Sequence, residues 1–420
     1  MSVTFLLALS VLSNVSVGLI FLSCSSKETK PGQTAAGTAA TATANNGVAL
    51  SSTMQKLKNA LENLLPDLAD SKGFQDPANH DRLQKEIGDL AAIASKVSHN
   101  PIKEKMDPSF AFLSEGFNEE INRASEAFNT GKVEFARYSL MNVNSFCIEC
   151  HTRTSTGPAF DSAAIDQKLS KLKPLERGEF LLATRQFDEA AKQFEAILEN
   201  RQERFQFLEF DRALRYVLAI TVRFQRDPVK TEKVIQTIKS SPQAPFYLKQ
   251  AALSWEQSVR EWKDERKKAG KKAPTSDELL AKAENLIKKG RQEQVGISDR
   301  SGDVDLLRGL SELHQLLVTS LDKNQLGHAL FLTGQGYEAI RDLALWSLHE
   351  NYFESCVRRV PHTTWALSCY KSLEESLIMG FTGSAGTKLP YDVQLRLTEL
   401  ETLAKPETIP EEESREHRTK

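Results

Sequence analysis

From Ser51 onward, apolar side chains recur every three or four residues, the spacing that lays a single apolar stripe along an α-helix. Met54, Leu57, Leu61, Leu64 and Leu68 mark the first stripe, which Pro66 is placed to kink or end early. Leu83, Ile87, Leu90, Ala94 and Val97 mark a second, and Phe110, Leu113, Phe117, Ile121, Ala124 and Phe128 a third. Gly131 breaks the chain, and Val133, Ala136, Leu140, Val143 and Cys147 form the fourth. Four amphipathic helices with short connections predict an up-down-up-down four-helix bundle over residues 51–160.

After Thr156-Gly157-Pro158 the helical period continues. Gly178, Leu181, Phe187, Ala190, Phe194 and Ile197 follow the small-and-large pattern of a tetratricopeptide hairpin, in which small residues let two helices approach. Gly327, Leu330, Ala339, Leu343 and Trp346 repeat that spacing more weakly. Further stripes cover 207–225, 228–239, 245–263, 276–290, 303–319 and 363–379. The expectation is an all-α protein whose residues 165–404 form an α-solenoid of degenerate helical hairpins, followed by a disordered charged tail over 405–420. Such an array presents a concave face for a protein partner, or serves only as a helical support.

The start of the chain differs. Met1 to Ser23 is uncharged and rich in Leu, Val, Phe and Ser, and it meets Cys24, the form of an export signal ending at a lipid-modified cysteine. No Lys or Arg precedes the apolar run, and Phe21 stands where such signals usually carry Leu. A retained membrane anchor is the alternative, since the run is long enough to span a bilayer. Residues 24–50, mostly Ala, Thr, Gly and Ser, bury too little to fold and read as a disordered tether, with a reach on the order of 25 to 30 Å.

The 420 residues carry 54 basic and 56 acidic side chains, a balance that gives no general pull toward nucleic acid. Arg266, Lys267, Lys268, Lys271 and Lys272 form a basic run, read as a solvated loop or a docking patch for an acidic partner or lipid headgroups. Gly383-Ser384-Ala385-Gly386 lacks the lysine of a phosphate loop. No Ser-His-Asp set or paired-carboxylate site stands out, so a turnover enzyme is not expected.

The chemistry lies in Cys147-Ile148-Glu149-Cys150-His151. CxxCH is the form in which heme c is attached: two thiols add across the vinyl groups and the imidazole takes one axial position of the iron. On a helix these three side chains fall at i, i+3 and i+4, on one face. A zinc site would need a second ligand pair and a thioredoxin-type dithiol a βαβ setting; the sequence shows neither. In an up-down-up-down bundle the end of the fourth helix lies beside the start of the first and the connection between the second and third. A second axial ligand from that end would be Met54 or, less well placed, His99 or Met106. Met141 stands ten residues up the same helix, about 15 Å away. The other histidines have no second ligand at recognisable spacing. Cys356 and Cys369 flank Val360-Pro361, the turn of a helical hairpin, where they form either a disulfide or two separate buried thiols.

Residues Ala124 to Arg153, ASEAFNTGKVEFARYSLMNVNSFCIECHTR, resemble the last two helices of the cytochrome c prime family. The resemblance covers about Ser51 to Thr156. It implies a four-helix bundle, one covalent heme c on Cys147 and Cys150, a proximal His151, and either an open sixth site or one filled by a Met near the start of the first helix, where Met54 stands. Many relatives dimerise. Members commonly carry a basic residue four positions after the heme His, and here that position is Ser155.

Three functions follow as expectations. The first is a lipid-anchored electron carrier on the periplasmic side of a bacterial membrane, exchanging electrons with a protein docked on the repeats. The second is a five-coordinate heme that binds nitric oxide or carbon monoxide. The third is a helical-repeat assembly protein with a structural or sensing heme.

Overall fold

The structure is a computed structural model that describes residues 37–98, 107–153, 169–170, 172–200, 207–268, 270, 273–296, 299–340, 347–384 and 386–406, with side chains from residue 50 on. Two compact units are distinguished, residues 1–43 and 44–420; of the first, only the helical backbone over 37–43 is described.

The described residues are all-α, about 82% of them helical. The first helices are α1 (Gly37–Ala69), α2 (Ser71–Gln75), α3 (His80–Ser98), α4 (Ser109–Asn129) and α5 (Val133–His151). The helical backbone thus begins at Gly37, inside the stretch that composition alone reads as a tether; Ala is the strongest helix former, and Ala-rich segments extend a helix at little cost. Pro66 does not end α1. It sits in the last turn, so the backbone bond it cannot make is followed by only three more residues.

The apolar stripes face inward as their period requires. Leu57, Leu61, Leu64, Leu83, Ile87, Leu90, Leu113, Ile121 and Leu140 are all buried. Phe74 of α2 plugs this core edge-on to Phe128, ring centroids 5.7 Å apart. Helix α3 packs on α4 and α4 on α5.

The second half comprises α6 (Pro174–Ala183), α7 (Phe187–Glu199), α8 (Phe207–Leu218), α9 (Pro228–Ser240), α10 (Phe246–Lys268), α11 (Ser276–Glu293), α12 (Asp303–Leu317), α13 (Lys323–Ile340), α14 (Leu348–Arg359), α15 (Thr364–Gly380) and α16 (Tyr391–Ala404). Successive helices pack as neighbours through much of this region. Gly178 shows why small residues recur there: a Cβ at this position would stand 2.5 Å from the Phe194 ring, so α6 and α7 could not close to their present distance. Helix α8 does not end at Leu218 but widens into a π-helical turn, Ala219–Phe224, which is almost wholly buried. Wider turns of this kind are frequent at functional positions.

Two short segments singled out in the sequence take defined places in the fold. Arg266, Lys267 and Lys268 belong to the end of α10, where cations suit the helix dipole, and Arg266 donates to the Arg226 carbonyl at 3.0 Å. Lys271 and Lys272 lie outside the described residues. Gly383 and Gly386 pair across a two-residue antiparallel hairpin, with Gly386 at φ 93°.

Helix α5 also packs on α6, and one continuous hydrophobic core runs from Leu57 to Leu400. The residues carrying CxxCH are therefore walled on one side by the first helix of the repeat-like region.

Candidate functional site

Helix α5 remains helical through His151, so Cys147, Cys150 and His151 project from one face. All three line a single cavity, and Met54 of α1 lines it too. The other walls are almost wholly apolar: Leu57 and Leu61 from α1, Val97 from α3, Phe110, Leu113 and Phe117 from α4, and Phe180 and Ala183 from α6. Among the described residues that line the cavity, Lys58 is the one lysine or arginine. It is buried and paired to Glu62 at 2.7 Å. The void between the walls totals about 620 Å³ including its mouth, of which only about 50 Å³ is wide enough for the centre of a water molecule. The cavity is narrow, and in its wall Phe117 and Phe146 pack edge to face, ring centroids 6.4 Å apart.

The chemistry of the donor set fits a covalently held heme. Cys147 and Cys150 are free thiols. Burial, and for Cys147 the neighbouring Cys150, pushes the thiols up to about 12 and about 11, so they stay protonated at neutral pH. Burial likewise brings His151 down to about 4, which keeps the imidazole neutral and able to bind a metal. Its Nδ1 lies 2.6 Å from the carbonyl oxygen of Ala183, the last residue of α6. An Nδ1–H donated to that carbonyl leaves the lone pair on Nε2.

The turn between α6 and α7 holds His151 a second time. Arg185, at φ 63°, donates from Nη1 to the His151 carbonyl at 3.0 Å. Its guanidinium lies over Phe187, which stacks on Phe224 at 3.6 Å. Nothing in the sequence of this hairpin marks Ala183 or Arg185, because one acts through a backbone carbonyl and the other through a contact 34 residues away.

Behind the motif lies a buried polar network that sequence reasoning missed. Glu149 pairs with Arg153 at 3.1 Å and with Arg223 of the π-turn at 3.6 Å. Arg153 also donates to Tyr352, and Arg223 to Thr152 and, at 3.0 Å, to Tyr337. His314 of α12 joins Tyr337 at 2.9 Å and Asp107 at 3.1 Å. With His314 neutral the two guanidiniums and two carboxylates cancel, which is how so many charges are tolerated away from water. Burial brings His314 down to about 4, helped by Arg153. Burial alone would raise Asp107, but hydrogen bonds from His314 and the Ser109 N–H, with Arg153 nearby, bring it down to about 2. Glu149 and Arg153, four apart around the motif, were the only local hint.

Cys356 and Cys369 are joined as a disulfide across the α14–α15 turn, Cα atoms 6.2 Å apart. Met141 lines a different cavity from the motif. Cys24, His99, Met106 and Ser155 lie outside the described residues. Among the described residues, no group of three or more His, Cys, Asp or Glu could hold a metal ion, and no helix is long and apolar enough to cross a membrane. Compared with known proteins, the chain matches no family model, no curated sequence and no solved structure.

Proposed function

We propose that this protein is an extracytoplasmic c-type cytochrome that carries electrons, with one heme c bound through Cys147 and Cys150, His151 as proximal ligand and Met54 as distal ligand. The observation that carries the reading is that Met54, 93 residues before the first motif cysteine, lines the same apolar slot as Cys147, Cys150 and His151. Helices α1, α3, α4 and α5 then act as a four-helix bundle around the cofactor, and α6 to α16 as a solenoid of hairpins that docks a redox or assembly partner. A lipid on Cys24 would hold the molecule at the periplasmic face of a membrane, and the bridged Cys356 and Cys369 suit that oxidising compartment.

When bound, heme supplies a one-electron couple whose potential is raised by thioether ligation. The chain's own contribution is to fix geometry and exclude water. Ala183 orients the His151 ring, the aliphatic and aromatic walls keep the slot dry, and two firm ligands limit rearrangement between oxidation states. Lys58, which lines the cavity, would be the cation available to a heme carboxylate in exchange for Glu62.

The test is an absorption spectrum of the heme-loaded protein, oxidised and reduced, with and without carbon monoxide, beside Met54→Ala. A low-spin spectrum that ignores carbon monoxide until Met54 is removed supports the carrier. A high-spin spectrum that takes up carbon monoxide in the unmodified protein sinks the Met54 assignment and favours gas binding. Protein purified from a cytochrome c-maturing host without a covalent heme band would end both.

A further inference from the structure

Two departures from ordinary backbone follow one another after α8: the wide turn Ala219–Phe224, and then Arg226 at φ 53°. An arginine takes the left-handed region only where its surroundings hold it there, and residues so held cluster at active sites and ligand clamps. Arg226 lines a cavity between this turn, α10 and α12, with about 220 Å³ of space open to water. Among the described residues that line it, the charged ones are three arginines, Arg226, Arg266 and Arg308, and one carboxylate, Glu312.

These charges do not cancel. Arg308 is buried and satisfied, with Asp305 at 3.0 Å and Glu265 at 2.7 Å, and its guanidinium rests over the Trp262 ring. Glu312 is held by Lys282 at 2.9 Å and stands 3.8 Å from Arg226, beyond hydrogen-bond reach. Arg226 donates from Nε to the Ser311 hydroxyl at 2.8 Å and from Nη2 to the Ser311 carbonyl, which leaves Nη1. The same hydroxyl donates to the Arg223 carbonyl at 2.7 Å, so the wide turn and α12 together fix where Arg226 stands. Arg266 gives Nη1 to the Arg226 carbonyl at 3.0 Å and pairs with no carboxylate among the described residues, which leaves Nε and Nη2. Burial holds the Arg226 guanidinium below its ordinary value against the pull of Glu312, as expected of a cation short of an anion.

We propose that this cavity is a binding site for a small tetrahedral dianion, inorganic phosphate or the phosphate group of a monoester, held between the free guanidinium edges of Arg226 and Arg266. A planar guanidinium fork matches the spacing of phosphate oxygens, and the two cations without a close carboxylate match the two charges of the anion. A monocarboxylate would offset only one of them. Arg266 is exposed and Arg226 half-buried, so the anion has a way in from solvent. The proposal does not depend on heme being present.

The experiment titrates the full-length protein by calorimetry with phosphate, glycerol 3-phosphate and acetate at constant ionic strength, beside Arg226→Gln, Arg266→Gln and Lys268→Gln. One phosphate or one glycerol 3-phosphate per chain is expected, with acetate at least about tenfold weaker. Arg226→Gln and Arg266→Gln should each weaken phosphate about tenfold or more. Lys268 is an exposed lysine of the same basic run that does not line the cavity, and its variant should bind phosphate as the unmodified protein does. Tighter glycerol 3-phosphate assigns the site to a monoester, and tighter phosphate to the free ion. An equal loss in Lys268→Gln and Arg266→Gln would show diffuse attraction by the basic run and overturn the proposal. Acetate binding as tightly as phosphate, or no binding of either phosphate compound, would overturn it too. Because Arg266 is exposed, its variant keeps the test open even if Arg226→Gln does not fold. Failure here leaves the heme spectrum untouched, and a missing heme leaves this titration untouched.

Discussion

The Nδ1 of His151 lies 2.6 Å from the carbonyl oxygen of Ala183. This joins the last residue of the α5 helix to the last residue of α6, so the ring that faces the slot is oriented by the repeat-like half of the chain. A carbonyl cannot be deleted by mutation, but its support can. Arg185→Ala removes the second tie, the hydrogen bond to the His151 carbonyl, and leaves Ala183 on a looser turn. The expected outcome is a His151 ring held less firmly, read in heme-loaded protein as a broadened histidine resonance and a shifted midpoint potential, with the thermal midpoint falling by only a few degrees. An unchanged potential would confine Arg185 to packing. Supporting groups of this kind typically change metal affinity or activity 10- to 100-fold.

Glu149→Gln tests the buried network. Its carboxylate is the shared partner of Arg153 and Arg223, both nearly inaccessible to water. Removing it leaves two buried guanidiniums facing a neutral amide, which should cost about 3–5 kcal/mol. Denaturant unfolding would show this as a lower midpoint at unchanged slope. A loss under about 1 kcal/mol would mean that the charges reorganise or hydrate.

Acid should act on the same network through His314. Its folded value of about 4 is depressed below the ordinary 6.5, so the unfolded chain binds the proton more readily. The associated stability is fully present above pH 6.5 and is lost as pH falls from there toward 4. Asp107, held at about 2 against an ordinary 3.8, loses its own contribution below that, between about pH 4 and 2. His314→Gln should flatten the fall in thermal midpoint between pH 6.5 and 4 and also shrink the lower step, because His314 is one of the groups that hold Asp107 down. A variant whose midpoint still falls as steeply across that window would place the acid sensitivity elsewhere.

Reduction of Cys356–Cys369 should destabilise the C-terminal hairpin. The bridge closes a loop of 13 residues, worth about 3 kcal/mol in the chain-entropy account. Cys356→Ala with Cys369→Ala is expected to lower the thermal midpoint by several degrees and to raise hydrogen exchange in α14 and α15 more than in α4 and α5. Uniform exchange across all helices would show that the hairpin does not open as a separate unit.

What the sequence determined by itself is whatever depends on spacing along one element. The stripes fixed the helices because a 3.6-residue period is local, and their apolar positions are buried as read: Leu83, Ile87 and Leu90 on α3, Phe110 and Phe117 on α4. The i, i+3, i+4 placement of Cys147, Cys150 and His151 is equally local, and α5 presents it on one face. Gly178 and Phe194 were legible as a close helix pair because small and large residues alternate along one hairpin. Local composition was less reliable at the edges of elements, where Pro66 fell too late to stop α1 and the basic run joined α10.

Only tertiary structure decided what crosses between elements. Met54 meets the motif because α1 and α5 line one cavity, and bundle topology could only nominate it among three candidates. Ala183 and Arg185 reach His151 from more than 30 residues away, one of them through a backbone atom that any residue would supply. The pairing of Glu149 with Arg223, or of Asp107 with His314, leaves no periodic trace, since a charge reads as exposed until its partner is known. Period records which face a side chain takes; the neighbour it finds there depends on how the faces are assembled.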